Sequence, residues 1–149
     1  MKIEEEIKQE KFSSEFQKAV INILYTSHWL EAENTKFLKP YGISVQQYNV
    51  LRILKGQGSN AISVNNIMSR MIDKMSNASR LVEKLRQKEL IERVVCEGDR
   101  RQVDVRITSK GIKLLNTLSE KMIEFDKMKS NITQKEAKAL NEILDKIRG

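Results

Sequence analysis

A change in hydrophobic periodicity in the middle of the chain constrains the fold more than any other feature. Over residues 63–85, apolar side chains recur every three or four positions, which is typical of helices that bury one face. From Gln102 to Ile107, apolar and charged residues alternate instead, with Val103 and Val105 on the same side. This alternation predicts a strand with one buried and one solvated face. Helices must therefore give way to a strand within one small module.

Two short helices are predicted ahead of the alternating segment. Ser63 can cap the first, because its hydroxyl accepts hydrogen bonds from amides that the first helical turn leaves unpaired. The second is expected to begin near Ser76 and to bury four apolar residues, namely Ala78, Leu81, Val82 and Leu85. Two short helices joined by a few residues form a helix-turn-helix.

A β-hairpin is predicted after the helix-turn-helix. Residues 91–96 supply a partner strand for the alternating segment, and residues 97–101 form the tip between the two strands. A two-stranded ribbon in this position is a wing. The predicted fold is mainly α with a small two-stranded β wing, that is, a winged helix-turn-helix.

The two ends of the chain have helical patterns of their own. Six glycines and one proline in 149 residues disfavour a β-sandwich or barrel. The first helix is expected to stop near Pro40, and a capping box of Thr133 and Glu136 opens the last one. Apolar stripes must be buried against something. We therefore expect N- and C-terminal dimerisation helices, residues 1–43 and 111–149, around a winged helix-turn-helix module of residues 44–110.

Positive charge is concentrated in the middle of the chain. Residues 45–110 contain 13 basic and 7 acidic side chains, against 6 and 7 in residues 1–44 and 8 and 6 in residues 111–149. A basic central module between nearly neutral ends favours an anionic partner, with nucleic acid as the first candidate. A solvated, lysine-rich surface is the alternative.

The order of elements, together with three motifs, resembles the MarR family of bacterial transcription regulators. The motifs are Gly42-Ile43-Ser44 with Gln47 and Leu51, the helix of residues 77–85, and Asp99-Arg100-Arg101 followed by Ile107-Thr108-Ser109-Lys110-Gly111. Glu89 departs from the family pattern, which has glycine after the recognition helix. Glycine closes a helix in the left-handed conformation without a Cβ penalty, so glutamate there would cost roughly 1 kcal/mol.

The outward face of the second short helix contains the residue types that read base edges. Arginine can bind guanine bidentately, asparagine can pair with adenine, and serine can bond to a base or a phosphate. At the hairpin tip, Asp99 can orient Arg101 for the minor groove and leave Arg100 for phosphates. The predicted DNA-binding residues are Ser63, Asn65, Asn66, Arg70, Lys74, Ser76, Asn77, Ser79, Arg80, Lys84, Asp99, Arg100 and Arg101. Alternatively, they are solvated helix, cap and turn residues.

The resemblance also implies regulation by a small molecule or an oxidant. Ligand sites favour junctions with aromatic walls. The candidate pocket residues are Tyr25, His28, Trp29, Tyr48 and Met122, whose alternative role is ordinary core packing. Cys96 lies near the predicted wing, and no thiolate-stabilising neighbour is evident in the sequence, so we expect an inert thiol.

Other classes of protein are disfavoured. The only histidine has no nucleophile motif around it, so we expect no enzyme. One cysteine and one histidine also exclude a disulfide framework or a structural zinc site, and no cofactor is expected. No apolar stretch approaches the ~20 residues that span a membrane, and the acidic start is unlike a signal peptide, which favours the cytoplasm.

The chain is predicted to be a homodimeric, sequence-specific regulator of transcription that binds a roughly palindromic operator in double-stranded DNA. It is expected to act as a repressor and to be released by a small-molecule effector. A dimer reads two half-sites about one helical turn apart, whereas one short helix reads only a few base pairs. The alternative is a winged helix that binds another protein without sequence-specific DNA binding.

Overall fold

The computed structural model describes residues 1–95, 103–129 and 131–149. Its helices are α1 (Ile3–Glu6), α2 (Glu15–Leu38), α3 (Val45–Lys55), α4 (Val64–Arg70), α5 (Ala78–Gln87), α6 (Ser109–Lys129) and α7 (Gln134–Arg148). Its strands are β1 (Ile62–Ser63), β2 (Ile91–Val95) and β3 (Val103–Ile107). The predicted mainly helical winged helix-turn-helix is confirmed.

Helix starts follow the capping residues closely. Ser44 Oγ accepts from the Gln47 amide at 3.1 Å, and the Gln47 side chain accepts from the Ser44 amide at 3.1 Å, which completes a capping box. Thr133 and Glu136 form the same arrangement at the start of α7. Ser63 caps α4 as predicted. The helix predicted to begin near Ser76 begins at Ala78, with Asn77 as its N-cap.

The sheet has three antiparallel strands in the order β1-β3-β2. β2 pairs with β3 from Ile91 opposite Ile107 to residue 95 opposite residue 103, as predicted for the wing. The short strand β1 adds Ile62 opposite Val105, so the prediction of a two-stranded sheet was incomplete. Two residues are too few to show an alternating pattern, which explains why β1 was missed.

The core joins the helix-turn-helix to the sheet and to the start of α6. Fully buried side chains come from α3, α5, β3 and α6, including Leu51, Leu85, Val105 and Leu118. α6 thus contributes to the core of the module as well as to the C-terminal end of the chain. This packing fixes α5 from behind and leaves its other face to solvent.

A left-handed residue ends α5. Glu89 has φ 60°, and the Leu90 amide donates to the Leu85 carbonyl at 3.1 Å, which closes the helix in a Schellman-type turn. Thr108 Oγ1 donates to the Glu89 carbonyl at 2.7 Å. Residue 89 therefore has the left-handed conformation that favours glycine, although it is a glutamate.

Gly111 is required by a close approach. A Cβ atom at this position would lie 2.3 Å from the Leu90 carbonyl oxygen and 2.7 Å from Cγ1 of Ile107. The first turn of α6 can therefore pack against the α5–β2 turn only if residue 111 has no side chain.

Apolar faces remain open on the terminal helices. On α2, Phe16, Val20 and Leu24 are 86%, 57% and 55% exposed at a spacing of four residues. On α7, Leu140, Ile143 and Ile147 are exposed, and the helix has no buried residue. Among the described residues, no helix is long and apolar enough to cross a membrane.

Candidate nucleic-acid interface

Helix α5 presents one buried and one solvated face. Ala78, Val82 and Leu85 are buried in the core described above. Ser79 and Arg80 lie on the exposed face, and Lys84 follows one turn later. A helix held from behind can present these polar side chains to a groove without rearranging its backbone.

Asn77 is exposed but already has a structural role. Its Oδ1 accepts from the Arg80 amide at 2.9 Å, which caps α5. A bidentate pair with adenine would need the same oxygen as an acceptor together with the side-chain NH2 as a donor. The NH2 group is the part of Asn77 that the cap leaves available for DNA.

The turn between α4 and α5 is organised by an acidic residue that the sequence interpretation did not select. Asp73 accepts from Ser76 Oγ at 2.6 Å and from the Met75 amide at 3.0 Å. These hydrogen bonds, that from Ser76 foremost, lower the pKa of the Asp73 carboxyl group. Asn49 on α3 also accepts from the Ile72 amide at 3.2 Å. The turn is therefore held from within and from α3.

The predicted phosphate-binding residues surround α4. Ser63 Oγ accepts from the Asn66 amide at 3.2 Å, while Asn65 and Asn66 are exposed in the first turn. Arg70 is exposed at the end of the same helix. Lys74 Nζ donates to the Ser69 carbonyl. Since Ser76 binds Asp73, its hydroxyl is committed to the turn, which its position in the sequence did not predict.

Ion pairs divide the basic residues of the module into two groups. Glu83 accepts from Arg86 at 2.8 Å and from Arg93 at 3.1 Å, and Arg106 Nε lies 2.6 Å from Glu92. The second group has no carboxylate partner in the ranges that the structure describes; it comprises Arg70, Arg80 and Lys84. Within the described part of the chain, these three side chains therefore present positive charge without an ion-pair partner.

The wing is connected to α5 through the same acidic residue. Arg93 on β2 donates to Glu83 on α5 at 3.1 Å, so the strand that leads to the hairpin tip is tied to the helix. The predicted tip residues Asp99, Arg100 and Arg101, as well as Cys96, lie outside the described residues.

A cleft of about 890 Å³ lies between the terminal helices and the helix-turn-helix. Its walls include Ile23 and Leu30 of α2, Ile143 of α7, and Met71 and Ile72 beside the α4–α5 turn. It occupies the kind of junction that was predicted for an effector.

None of the five predicted pocket residues lines this cleft; they are Tyr25, His28, Trp29, Tyr48 and Met122. Tyr25 donates to Glu6 at 2.5 Å, His28 Nδ1 lies 2.8 Å from the Leu24 carbonyl, and Tyr48 lies 6.0 Å from the Arg52 guanidinium. The helical pattern identified apolar and aromatic positions on α2, but a different face of that helix borders the cleft.

Comparisons with known proteins agree with this geometry. The family model described as "Transcriptional regulator SarA/Rot" matches residues 34–118. The chain is similar to the HTH-type transcriptional regulator MhqR of Bacillus subtilis, with 29% identity over 75% of this chain and 77% of MhqR.

Solved structures share the fold over most of the chain. A MarR transcription factor from Planctomyces limnophilus is 27% identical, with a TM-score of 0.69 over 93% of this chain and 96% of its own. The organohalide-sensing RdhR-CbdbA1625 transcriptional regulator in its 2,4-dichlorophenol-bound form is 20% identical, with a TM-score of 0.80 over 94% of this chain and 85% of its own. The resemblance to MarR regulators that the motifs indicated is thereby confirmed.

Proposed function

Because the chain belongs to the SarA/Rot family of transcriptional regulators, we propose that it binds a roughly palindromic operator in duplex DNA as a homodimer. The observation that carries this proposal is the solvated face of α5, where Arg80 and Lys84 lack a carboxylate partner among the described residues. A recognition helix enters the major groove with its N-terminal residues against base edges.

Each side chain of this face has a role suited to its chemistry. Arg80 binds guanine through its planar, two-pronged guanidinium, and Ser79 bonds to a neighbouring base or phosphate. Lys84, one turn further from the N-terminus, neutralises a phosphate. The cap keeps Asn77 at the start of the helix, from which its NH2 group can donate to a base.

Backbone contacts surround the recognition helix in this proposal. Arg70 and Lys74 neutralise phosphates beside α4, since a long basic side chain needs no fixed geometry to do so. Ser63, Asn65 and Asn66 stay predicted hydrogen-bonding contacts to phosphates. Ser76 stays one as well, although its hydroxyl would have to release Asp73 in order to donate. At the wing tip, which lies outside the described residues, we keep the predictions that Asp99 orients Arg101 for the minor groove and that Arg100 contacts phosphates.

The homodimer is supported by the open apolar face of α2. Exposed apolar stripes of this length are normally covered in solution, and a two-fold pair of chains would cover this one, whereas Leu140, Ile143 and Ile147 of α7 line the cleft. Such a dimer also presents two copies of α5 to two half-sites about one turn, ~34 Å, apart. Sedimentation at micromolar concentration tests this directly, because a monomer there would exclude the proposed dimer.

The cleft supports control by an apolar small molecule. Its walls are largely apolar, and the RdhR-CbdbA1625 neighbour is a regulator with 2,4-dichlorophenol bound. Because Met71, Ile72 and Asp73 line the cleft and lead into α5, a ligand there would contact the turn that positions the recognition helix. Addition of 2,4-dichlorophenol during a DNA titration is a practical first probe. Repression as the direction of regulation stays a prediction from the resemblance.

Selection of bound fragments from a random duplex library, followed by titration over a range of salt concentrations, tests the DNA-binding proposal. We expect a preferred, roughly two-fold symmetric sequence. We also expect log affinity to fall linearly with log salt, with a slope of about −0.9 for each phosphate neutralised. Absence of any preferred sequence would favour the alternative of a winged helix that binds a protein partner.

A further inference from the structure

Met75 is an apolar side chain in an unexpected position. It lies in the turn that leads into α5, two residues before the Asn77 cap, and is 93% exposed. Ile72 in the same turn is 90% exposed. Large apolar side chains in a polar, basic region are informative when they are exposed to this degree, because solvent offers them no favourable contacts.

The two residues of this turn are not equivalent. Ile72 borders the cleft between the terminal helices and the helix-turn-helix, whereas Met75 does not line that cleft. The Met75 amide donates to Asp73 Oδ1 at 3.0 Å, and Ser76 donates to the other oxygen of the same carboxylate. Met75 is therefore held by its backbone beside the N-terminus of α5.

We propose that Met75 is a specificity determinant that contacts the 5-methyl group of a thymine in the major groove. This inference rests on the proposed function, in which the N-terminal end of α5 approaches base edges. The cationic side chain of Arg80, five residues later in the chain, provides the charge complementarity that brings DNA to this surface.

The chemistry of the groove gives Met75 one suitable target. The thymine methyl is the apolar group on the major-groove edges of the base pairs, where the other groups are hydrogen-bond donors and acceptors. A methionine side chain is unbranched and polarisable, so it can adapt to such a methyl group without precise geometry. Arg80 and Ser79 would read polar base edges, while Met75 would distinguish thymine from cytosine at an adjacent position.

The experiment uses the full chain and an operator selected with it from a random-sequence duplex library. Each thymine of that operator is replaced in turn by deoxyuridine, which removes only the 5-methyl group, and Kd is measured at one salt concentration. We expect one thymine in each half-site at which this change weakens binding roughly three- to fivefold, the effect of about one buried methyl group.

Variants connect that thymine to Met75. Met75→Ala should bind the thymine operator more weakly by a similar factor. Replacement of the sensitive thymine by deoxyuridine should then have no further effect on the Kd of this variant. Met75→Leu should retain most of the sensitivity, since it keeps an apolar side chain. Ile123→Ala, at a 58% exposed apolar residue of α6, is the control and should retain the full sensitivity of the unmodified chain.

The possible results separate this inference from the proposed function. If Met75→Ala is as sensitive as the unmodified chain to every thymine replacement in the selected operator, the Met75 contact alone is overturned. Failure to select any preferred sequence would overturn both. Loss of sensitivity in Met75→Ala but not in Ile123→Ala would support the contact.

Discussion

Glu89 and Lys110 form an ion pair between the end of α5 and the start of α6, with Lys110 Nζ 2.7 Å from the Glu89 carboxylate. Glu89 has a left-handed backbone with φ 60°. The residue that departs from the family's glycine therefore makes a contact that glycine could not make. The pair links the C-terminus of the recognition helix to the helix that follows the wing.

Replacement of Glu89 separates the backbone contribution from that of the ion pair. Glu89→Ala keeps the cost of a Cβ atom in the left-handed region and loses the pair with Lys110. Glu89→Gly also loses the pair but removes the steric cost. We expect the glycine variant to be more stable than the alanine variant by about 1 kcal/mol in urea unfolding. Equal stability of the two variants would contradict the left-handed assignment.

Acid should destabilise the fold through carboxylates that are hydrogen-bonded in the native state. Arg86 lowers the pKa of Glu83, and Lys110 lowers the pKa of Glu89, both below the usual value of 4.5. Since the unfolded chain then binds more protons, this stabilisation is complete above about pH 4.5 and is lost as the pH falls through the lower native pKa values.

Urea unfolding at about pH 6 and about pH 3.5 measures this loss. The double variant Glu83→Gln with Glu89→Gln should lose less stability between these two values than the unmodified chain. The double variant should still lose some stability in acid, because the pKa of Asp73 is also lowered. An identical loss in both proteins would show that the two ion pairs do not contribute.

Gly111→Ala should be strongly destabilising. The added Cβ would lie 2.3 Å from the Leu90 carbonyl oxygen, which is main-chain and cannot move away alone. We expect a loss of roughly 3 kcal/mol in the free energy of unfolding. Gly56→Ala is the matched control, because its Cβ would lie 3.4 Å from its nearest neighbour, the Ile53 carbonyl oxygen, and its φ is −64°. A loss of similar size in both variants would argue against the close approach at Gly111.

The cap of α5 can be separated from DNA contact at Asn77. Asn77→Ala removes the acceptor for the Arg80 amide and should cost about 1 kcal/mol of stability. Asn77→Ser retains a capping oxygen but no NH2 donor, so it should preserve stability while weakening operator binding. Thermal unfolding and DNA titration of both variants check this. Full operator affinity in Asn77→Ser would limit Asn77 to its structural role.

Local chemistry accounts for what the sequence could predict. Ser44 with Gln47, Thr133 with Glu136, and Ser63 mark helix starts because each cap is formed within four residues. Strand β3 was predictable because its five residues alternate between apolar and charged, and β2 was predicted as the partner strand upstream of it. At Glu89 the family's glycine marked the place of a left-handed residue, but the glutamate itself did not predict that conformation.

Features that depend on tertiary placement could not be predicted in the same way. The cleft is bordered by Ile23 and Leu30 rather than by Tyr25 and Trp29, since the packing of α2 decides which of its faces meets the module. Ser76 was expected to begin α5, but its bond to Asp73 makes it part of the preceding turn. Aspartate and serine three residues apart could have indicated that turn.

The contribution of Arg80 to sequence discrimination is the sharpest test of α5 as the recognition helix. The measurement is the ratio of the Kd for a shuffled duplex to the Kd for the selected operator, at one salt concentration, for Arg80→Ala and for Lys113→Ala. Lys113 is an exposed residue of α6, so its loss removes the same charge from a different helix. We predict that Arg80→Ala lowers the ratio by roughly 5- to 100-fold, the value of a bidentate base contact, while Lys113→Ala leaves it unchanged. An Arg80→Ala protein with the full ratio of the unmodified chain would contradict the account.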